Sequence, residues 1–185
     1  MSKFMYDTEF HEDGKTIDFI SIGMVNMDTG DEYYAVSNEF DTRRVAQNKW
    51  LMDNVMKSIP HTEFVVADFD GMPFVRDIFV NSKDAKSKSV IGWDIWDFVR
   101  STNVEGEVEL WAWYSAYDHV CLAQLFGKMI ELPKGMPMWT ADIKQLHKQA
   151  GYPQMPKQPE GLHNALEDAK FNIERYKFLD GLING

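Results

Sequence analysis

Three segments near the N-terminus constrain the fold more than any other feature. Lys3 to Phe10, Ile17 to Met27 and Glu32 to Ser37 are rich in strand formers, and only turn-sized stretches separate them. His11-Glu12-Asp13-Gly14 and Asp28-Thr29-Gly30-Asp31 carry the Gly and Asp that tight turns need. Connections this short leave no room for a crossover, so the strands must form an antiparallel meander. Helical spacing follows: Val45, Leu51, Met52, Val55, Met56 and Ile59 share one face from Val45 to Ile59, with Pro60 as the stop. Phe64 to Val80 reads as a hairpin about Asp70-Gly71, with a short helix after Pro73 as the alternative. A helix is expected over Val90 to Ser101, and Val108 to Tyr114 (VELWAWY) is a buried strand. Further helices are expected over Asp118 to Met129, Thr140 to Ala150 and Asn164 to Ile183. Between the last two, Gly151 to Gly161 holds three prolines and reads as a mobile loop over a site. This order predicts an α/β fold: a mixed sheet, three antiparallel strands then parallel ones, flanked by helices.

The 185 residues suit one domain with a single core. A lone cysteine, Cys121, excludes an internal disulfide framework and points to a reducing compartment, with Cys121 as a small packed side chain. The N-terminus has no apolar run of signal-peptide length, and no stretch nears the roughly 18 apolar residues of a membrane span. A cytoplasmic protein is expected. Net charge is −10, which argues against a wide duplex-binding surface. It leaves room for a small pocket that grips a strand end through carboxylate-bound metal ions.

Three fragments carry the chemistry. Asp7 and Glu9 stand two apart on the first strand, so both side chains leave one face. Two carboxylates held among apolar neighbours repel unless a cation lies between them, and oxygen-only ligation suits Mg²⁺ or Mn²⁺. Asp68-Phe69-Asp70 has the same spacing, but the Asp70-Gly71 turn accounts for it. Asp31 with Glu32 and Asp94 with Asp97 read as solvated surface acids. Asp118 follows the buried strand, at the kind of place where ligands collect in open α/β sheets; the plainer alternative is a helix cap. His163 and Asp168 open the last helix. Five residues apart they would fall on different helical faces, so His163 must precede the helix and turn inward. The plainer alternative there is a capping histidine and a surface Asp168. Taken together, four carboxylates would balance two Mg²⁺ ions in a phosphoryl displacement, with His163 as general base.

The set Asp7-x-Glu9, Asp118 and His163-x4-Asp168 resembles the DEDDh family of 3′–5′ exonucleases. The sister DEDDy group has Tyr-x3-Asp, whereas the residue four before Asp168 is Asn164. The segments DTEFHEDGKTIDFISIGMV, EYYAVSNEFD, ELWAWYSAYDHVCLAQL and LHNALEDA are similar to RNase AS-type exoribonucleases of mycobacteria. The resemblance implies a ribonuclease H-like fold in a single exonuclease domain over residues 1–185. It implies two Mg²⁺ ions (Mn²⁺ substituting) on Asp7, Glu9, Asp118 and Asp168, with His163 as the base. It further implies single-stranded RNA with an adenylate-rich 3′ end as substrate, nucleoside monophosphates as products, and a homodimer. Phe64 to Lys88 has no counterpart in that resemblance and reads as an insertion or a diverged patch.

Substrate contacts are expected from Thr8, Phe10, Trp113 and Tyr117, with Phe10 stacking on a terminal base and Trp113 or Tyr117 forming another wall. Lys144, Lys148 and Lys157 are candidates for a local basic rim, with surface solvation as the plainer role. His11, His61, His119 and His147 have no partner spacing and read as structural or surface residues. Two rivals stand beside an exoribonuclease: a DNA-directed exonuclease using the same five residues, and a non-catalytic nucleotide-binding or scaffold domain. A glycosidase-type carboxylate pair explains neither His163 nor the other two acids.

Overall fold

A computed structural model describes residues 1–59, 82–104 and 106–185, together with the backbone of the strands at 65–69 and 72–76. In chain order the strands are β1 (Ser2–Glu12), β2 (Ile17–Asn26), β3 (Glu32–Ser37), β4 (Val65–Phe69), β5 (Met72–Arg76), β6 (Ala85–Lys86), β7 (Val108–Ala112) and β8 (Ala141–Asp142). The α-helices are α1 (Thr42–Gln47), α2 (Lys49–Asn54), α3 (Lys88–Thr102), α4 (Ser115–Gln124), α5 (Ile143–Gln149) and α6 (Ala165–Asn184). The main sheet runs β6-β3-β2-β1-β7-β8, and β4 pairs with β5 in a separate hairpin. β1, β2 and β3 are antiparallel, while β7 joins β1, β8 joins β7 and β6 joins β3 in parallel. This is the expected ribonuclease H-like mixed sheet flanked by helices.

Alternation along β1 sorts the layers. Phe4 and Tyr6 face α3 and α4, packing with Ile91, Ile95, Cys121 and Leu122. Met5 faces the opposite way, toward Ile143 of α5 and Tyr176 and Leu179 of α6. Asp7 and Glu9 continue the Met5 side. The first turn of α6 lies directly on β2, because Gly23, the register partner of Asp7, has no side chain. A Cβ at Gly23 would stand 2.2 Å from Leu166 Cα, so any other residue forces the helix off the sheet.

Several boundaries differ from those the sequence suggests, each for a local reason. The single helix expected over Val45 to Ile59 is two, α1 and α2. Asn48 between them is extended (ψ 96), and its side chain accepts a hydrogen bond from Leu51 N. The apolar positions still reach the core, where Val45, Leu51, Val55, Met56 and Ile59 are all buried. His11 and Glu12 belong to β1 rather than to a turn; Asp13 makes the turn, accepting from Lys15 N and Thr16 N. β7 stops at Ala112, and α4 begins at Ser115 instead of Asp118, because Tyr114 turns the chain in the left-handed region (φ 61). Over Thr140 to Ala150, a two-residue strand replaces the expected first helical turn. The hairpin read from the sequence is present as β4–β5, and Pro73 to Arg76 is strand rather than helix. Its turn at Asp70-Gly71, the stop at Pro60, residues 77–81 and His61 lie outside the described residues.

Candidate active site

The site forms where the parallel pairing of β1 with β7 gives out. That pairing ends at Met5–Trp111, so farther along β1 the backbone donors on that edge need other partners. Asp118, in the first turn of α4, supplies one. Its Oδ1 accepts from Thr8 N (2.9 Å) and Thr8 Oγ1 (2.7 Å). Asp118 is therefore no helix cap; the capping position is Tyr114, which offers no side-chain bond. Tyr114 N in turn donates to Asp142 Oδ1 (3.1 Å), so the cap of α5 anchors the turn that aims Asp118.

Asp168 arrives from the other side, where α6 rests on Gly23. It is buried, and its Oδ2 accepts from His163 N (2.8 Å). His163 precedes the helix with φ 63, a left-handed backbone that costs a non-glycine residue energy and persists only where its surroundings hold it. Those surroundings are visible. Ser58 Oγ donates to the His163 carbonyl, Asn164 Nδ2 donates to Ser58 O (3.1 Å), and Asn164 Oδ1 caps α6. The Trp50 ring meets the His163 imidazole edge-on, with centroids 4.9 Å apart. One ligand atom each from Glu9, His163 and Asp168 lie within 4.8 Å of one another.

The electrostatics bind the four acids into one unit. Burial raises the Asp7 carboxyl well above its ordinary range, and the charges of Asp118, Glu9 and Asp168 raise it further. Burial pushes Glu9 up to about 8, helped by Asp168 and Asp118. Asp118 is pushed up to about 7 by burial, against the opposing pull of the two Thr8 hydrogen bonds. Asp168 is raised by burial, while the His163 amide and the charges of His163 and Arg175 act the other way. Like charges out of water resist ionising together, so the cluster is poised for a cation.

The structure thus brings Asp7, Glu9, Asp118, His163 and Asp168 together. Thr8 spends its hydroxyl on Asp118. Phe10 stacks flat on the exposed Tyr117, with centroids 5.8 Å apart and 6° between planes, at the α4 edge of the site. Trp113 is enclosed by cations instead: the Arg175 guanidinium lies 4.8 Å and the Lys144 ammonium 4.9 Å from its centroid. Lys148 and Lys157 are exposed, while His147 is buried against Trp113 and within hydrogen-bonding distance of Pro153 O (2.9 Å). His119 Nδ1 lies 3.0 Å from the Thr140 hydroxyl, which also bonds Tyr6.

Sequence reasoning overlooked Arg175, Asn172, Trp50 and Ser58. The first two left a signal, since Asp168, Asn172 and Arg175 are spaced i, i+4, i+7 and share a helical face. Arg175 Nη1 donates to Asn172 Oδ1 (2.8 Å), and buried Asn172 donates to Tyr6 O (3.2 Å). Trp50 and Ser58 reach His163 from more than 100 residues away, and no local pattern announces them.

Comparison with known proteins identifies the family. The family model described as the 3′–5′ exoribonuclease Rv2179c-like domain matches residues 72–179. Two curated Mycobacterium tuberculosis proteins, 3′–5′ exoribonuclease MT2234.1 and 3′–5′ exoribonuclease Rv2179c, are each 38% identical over 177 residues, spanning 96% of this chain and 92% of theirs. With more than half its length in the family match and that identity across nearly all of it, the chain belongs to the Rv2179c-like 3′–5′ exoribonuclease family and is a hydrolytic exonuclease.

Proposed function

We propose that this enzyme removes nucleoside 5′-monophosphates one at a time from the 3′ end of single-stranded RNA, using Asp7, Glu9, Asp118 and Asp168 as metal ligands and His163 as general base. The observation that carries the proposal is the convergence of four mutually repelling carboxylates on one histidine at the end of β1. Oxygen-only donors fit two Mg²⁺ ions, with Mn²⁺ as substitute, and the upward-shifted carboxyls match a site that a cation completes. When bound, such ions activate water and stabilise a leaving oxygen.

The chain's own residues do the rest. His163 takes a proton from the attacking water as its oxygen bonds to phosphorus. The bond from phosphorus to the 3′ oxygen of the preceding nucleotide breaks, and that oxygen is protonated from solvent. Thr8 holds Asp118 at one oxygen and leaves the other for a ligand. Ser58, Asn164 and Trp50 hold His163 in its left-handed turn. The stacked Phe10–Tyr117 pair offers an aromatic surface for the terminal base.

Adenylate preference follows the resemblance to RNase AS-type enzymes. A homodimer is in keeping with the exposed Trp93, Ile130 and Trp139. Cytoplasmic location is in keeping with buried, unpaired Cys121, and no helix among the described residues is long and apolar enough to cross a membrane. The chain is read as one exonuclease domain, with 64–88 as an insertion or a diverged patch, inside which the family match begins and strand β5 runs beside α1. The test is digestion of a 3′-tailed RNA panel and matched single-stranded DNA with Mg²⁺, wild type against Asp118→Ala. Monophosphate release from RNA by the wild type alone is expected. Preference for DNA overturns the substrate, and activity in Asp118→Ala overturns the site.

A further inference from the structure

A second cleft, of about 480 Å³, opens on the same side of the sheet and lies within the size range of small-ligand sites. His11, Arg44, Gln47, Asn48 and Lys49 line it. In a chain of net charge −10, its lining among the described residues holds two cations, two amides and no carboxylate.

Its position follows from β1. Asp7, Glu9 and His11 are successive residues on one face of that strand, since the irregularity beside Glu9 falls on β2, where Ile20 is the unpaired residue. His11 therefore lies one same-face step, roughly 7 Å, beyond Glu9. The other wall of the cleft joins the catalytic cluster along the chain, because Lys49 directly precedes Trp50, whose ring contacts His163.

His11 is the buried member of the lining. The residue is only 8% exposed, yet it lines the cleft, and its Nδ1 is buried with no hydrogen-bond partner. A buried polar nitrogen without a partner is uncommon and calls for an explanation. The two cations are only loosely committed. Arg44 Nη2 bonds Asp13 Oδ2 (2.8 Å), leaving the rest of its guanidinium fork, and Lys49 pairs with Asp53 from a side chain that is 88% exposed. Exposed pairs of this kind exchange partners at little cost.

We propose that this cleft is the upstream subsite for the RNA backbone. Arg44 and Lys49 hold phosphates of nucleotides on the 5′ side of the scissile bond beside His11, and Gln47 and Asn48 offer amides to phosphate or ribose oxygens. The inference rests on the proposed exoribonuclease reading and adds the path of the strand. Local basic charge offsets the acidic whole at the place where a polyanion must leave the site.

The test is fluorescence anisotropy, in buffer free of divalent metal, of a labelled RNA dinucleotide and octanucleotide binding to wild type and to the Arg44→Ala/Lys49→Ala double variant. His11→Phe, which keeps the ring shape and removes both nitrogens, is measured beside it. The double variant is expected to lose roughly tenfold more affinity for the octanucleotide than for the dinucleotide. Its slope of log affinity against log salt should flatten by about 1.4, the value for two lost single-strand phosphate contacts. Equal losses on the two lengths, or none on the octanucleotide, overturn the proposal. So does displacement of both RNAs alike by inorganic phosphate, the mark of an isolated ion site. Length-dependent binding in a protein that releases no nucleotide from RNA with Mg²⁺ would leave the cleft standing and remove the exoribonuclease reading.

Discussion

Two charged regions share one face of β1 and obey opposite rules. Around Asp7 and Glu9 the charges are alike and largely withdrawn from water, and Asp118 and Asp168 are held by hydrogen bonds from Thr8 and His163. One step along, beside His11, the charges of Arg44 and Lys49 are of the other sign, and these two cations have exposed partners. Burial is what separates them. In a low-dielectric setting like charges raise one another's pKa and demand a counter-ion, whereas exposed cations are screened and trade partners freely. The first region is built for chemistry at one point, and the second suits a strand that has to slide.

That contrast is open to attack, beginning where the effect should be largest. Asp118→Ala removes a buried carboxylate of the proposed metal site and should lower kcat/KM on the order of 10³-fold or more, far beyond the roughly tenfold expected in the cleft. Steady-state rates on a short RNA compare the two, and similar losses would erase the distinction.

Thr8→Val keeps the shape of the side chain and the backbone bond to Asp118 but removes the hydroxyl donor. Loss of such an outer contact should weaken Mg²⁺-dependent activity by about 10–100-fold. A Mg²⁺ titration of the rate reads this as a raised half-saturation concentration. An unchanged titration would assign the positioning to the backbone bond alone.

Gly23→Ala tests the seat of α6. The added methyl meets Leu166 backbone, so overpacking should cost about 1–3 kcal/mol and lower Tm by about 2–4 °C for each kcal/mol. Because the same helix carries Asp168, activity should fall with stability. A variant as stable as wild type would mean that α6 rides higher than described.

The smallest expected effect is on pH. Carboxyls whose pKa is raised by folding stabilise the metal-free protein below their ordinary values, and that contribution disappears as pH rises through the folded values. With Glu9 at about 8 and Asp118 at about 7, the metal-free melting temperature should decline from about pH 4.5 toward pH 8. Mg²⁺ should restore it most at the alkaline end. A flat profile in EDTA would show that the acids ionise without mutual penalty.

How much was legible beforehand depended on distance along the chain. Alternation on one strand put Asp7 and Glu9 on a common face, and five-residue spacing at a helix start required His163 to turn inward; both are present. The break at Asn48 was hidden because an apolar period looks the same whether or not one residue caps a new helix within it. Of Lys144, Lys148 and Lys157, read as a basic rim or as solvated surface, the last two are exposed. Lys144 lies over Trp113, and the basic lining comes from α1 and α2, which nothing local ties to β1.

The sequence by itself determined the chemical set, because residue identity, strand period and helix starts are local properties of the chain. Tertiary structure alone decided what those residues meet. Asp118 replaces the missing ladder partner of Thr8, the bare backbone of Gly23 lets Asp168 descend on Asp7, and Ser58 and Trp50 hold His163. Such contacts join residues scores of positions apart, where only packing, and no periodicity, selects the partner.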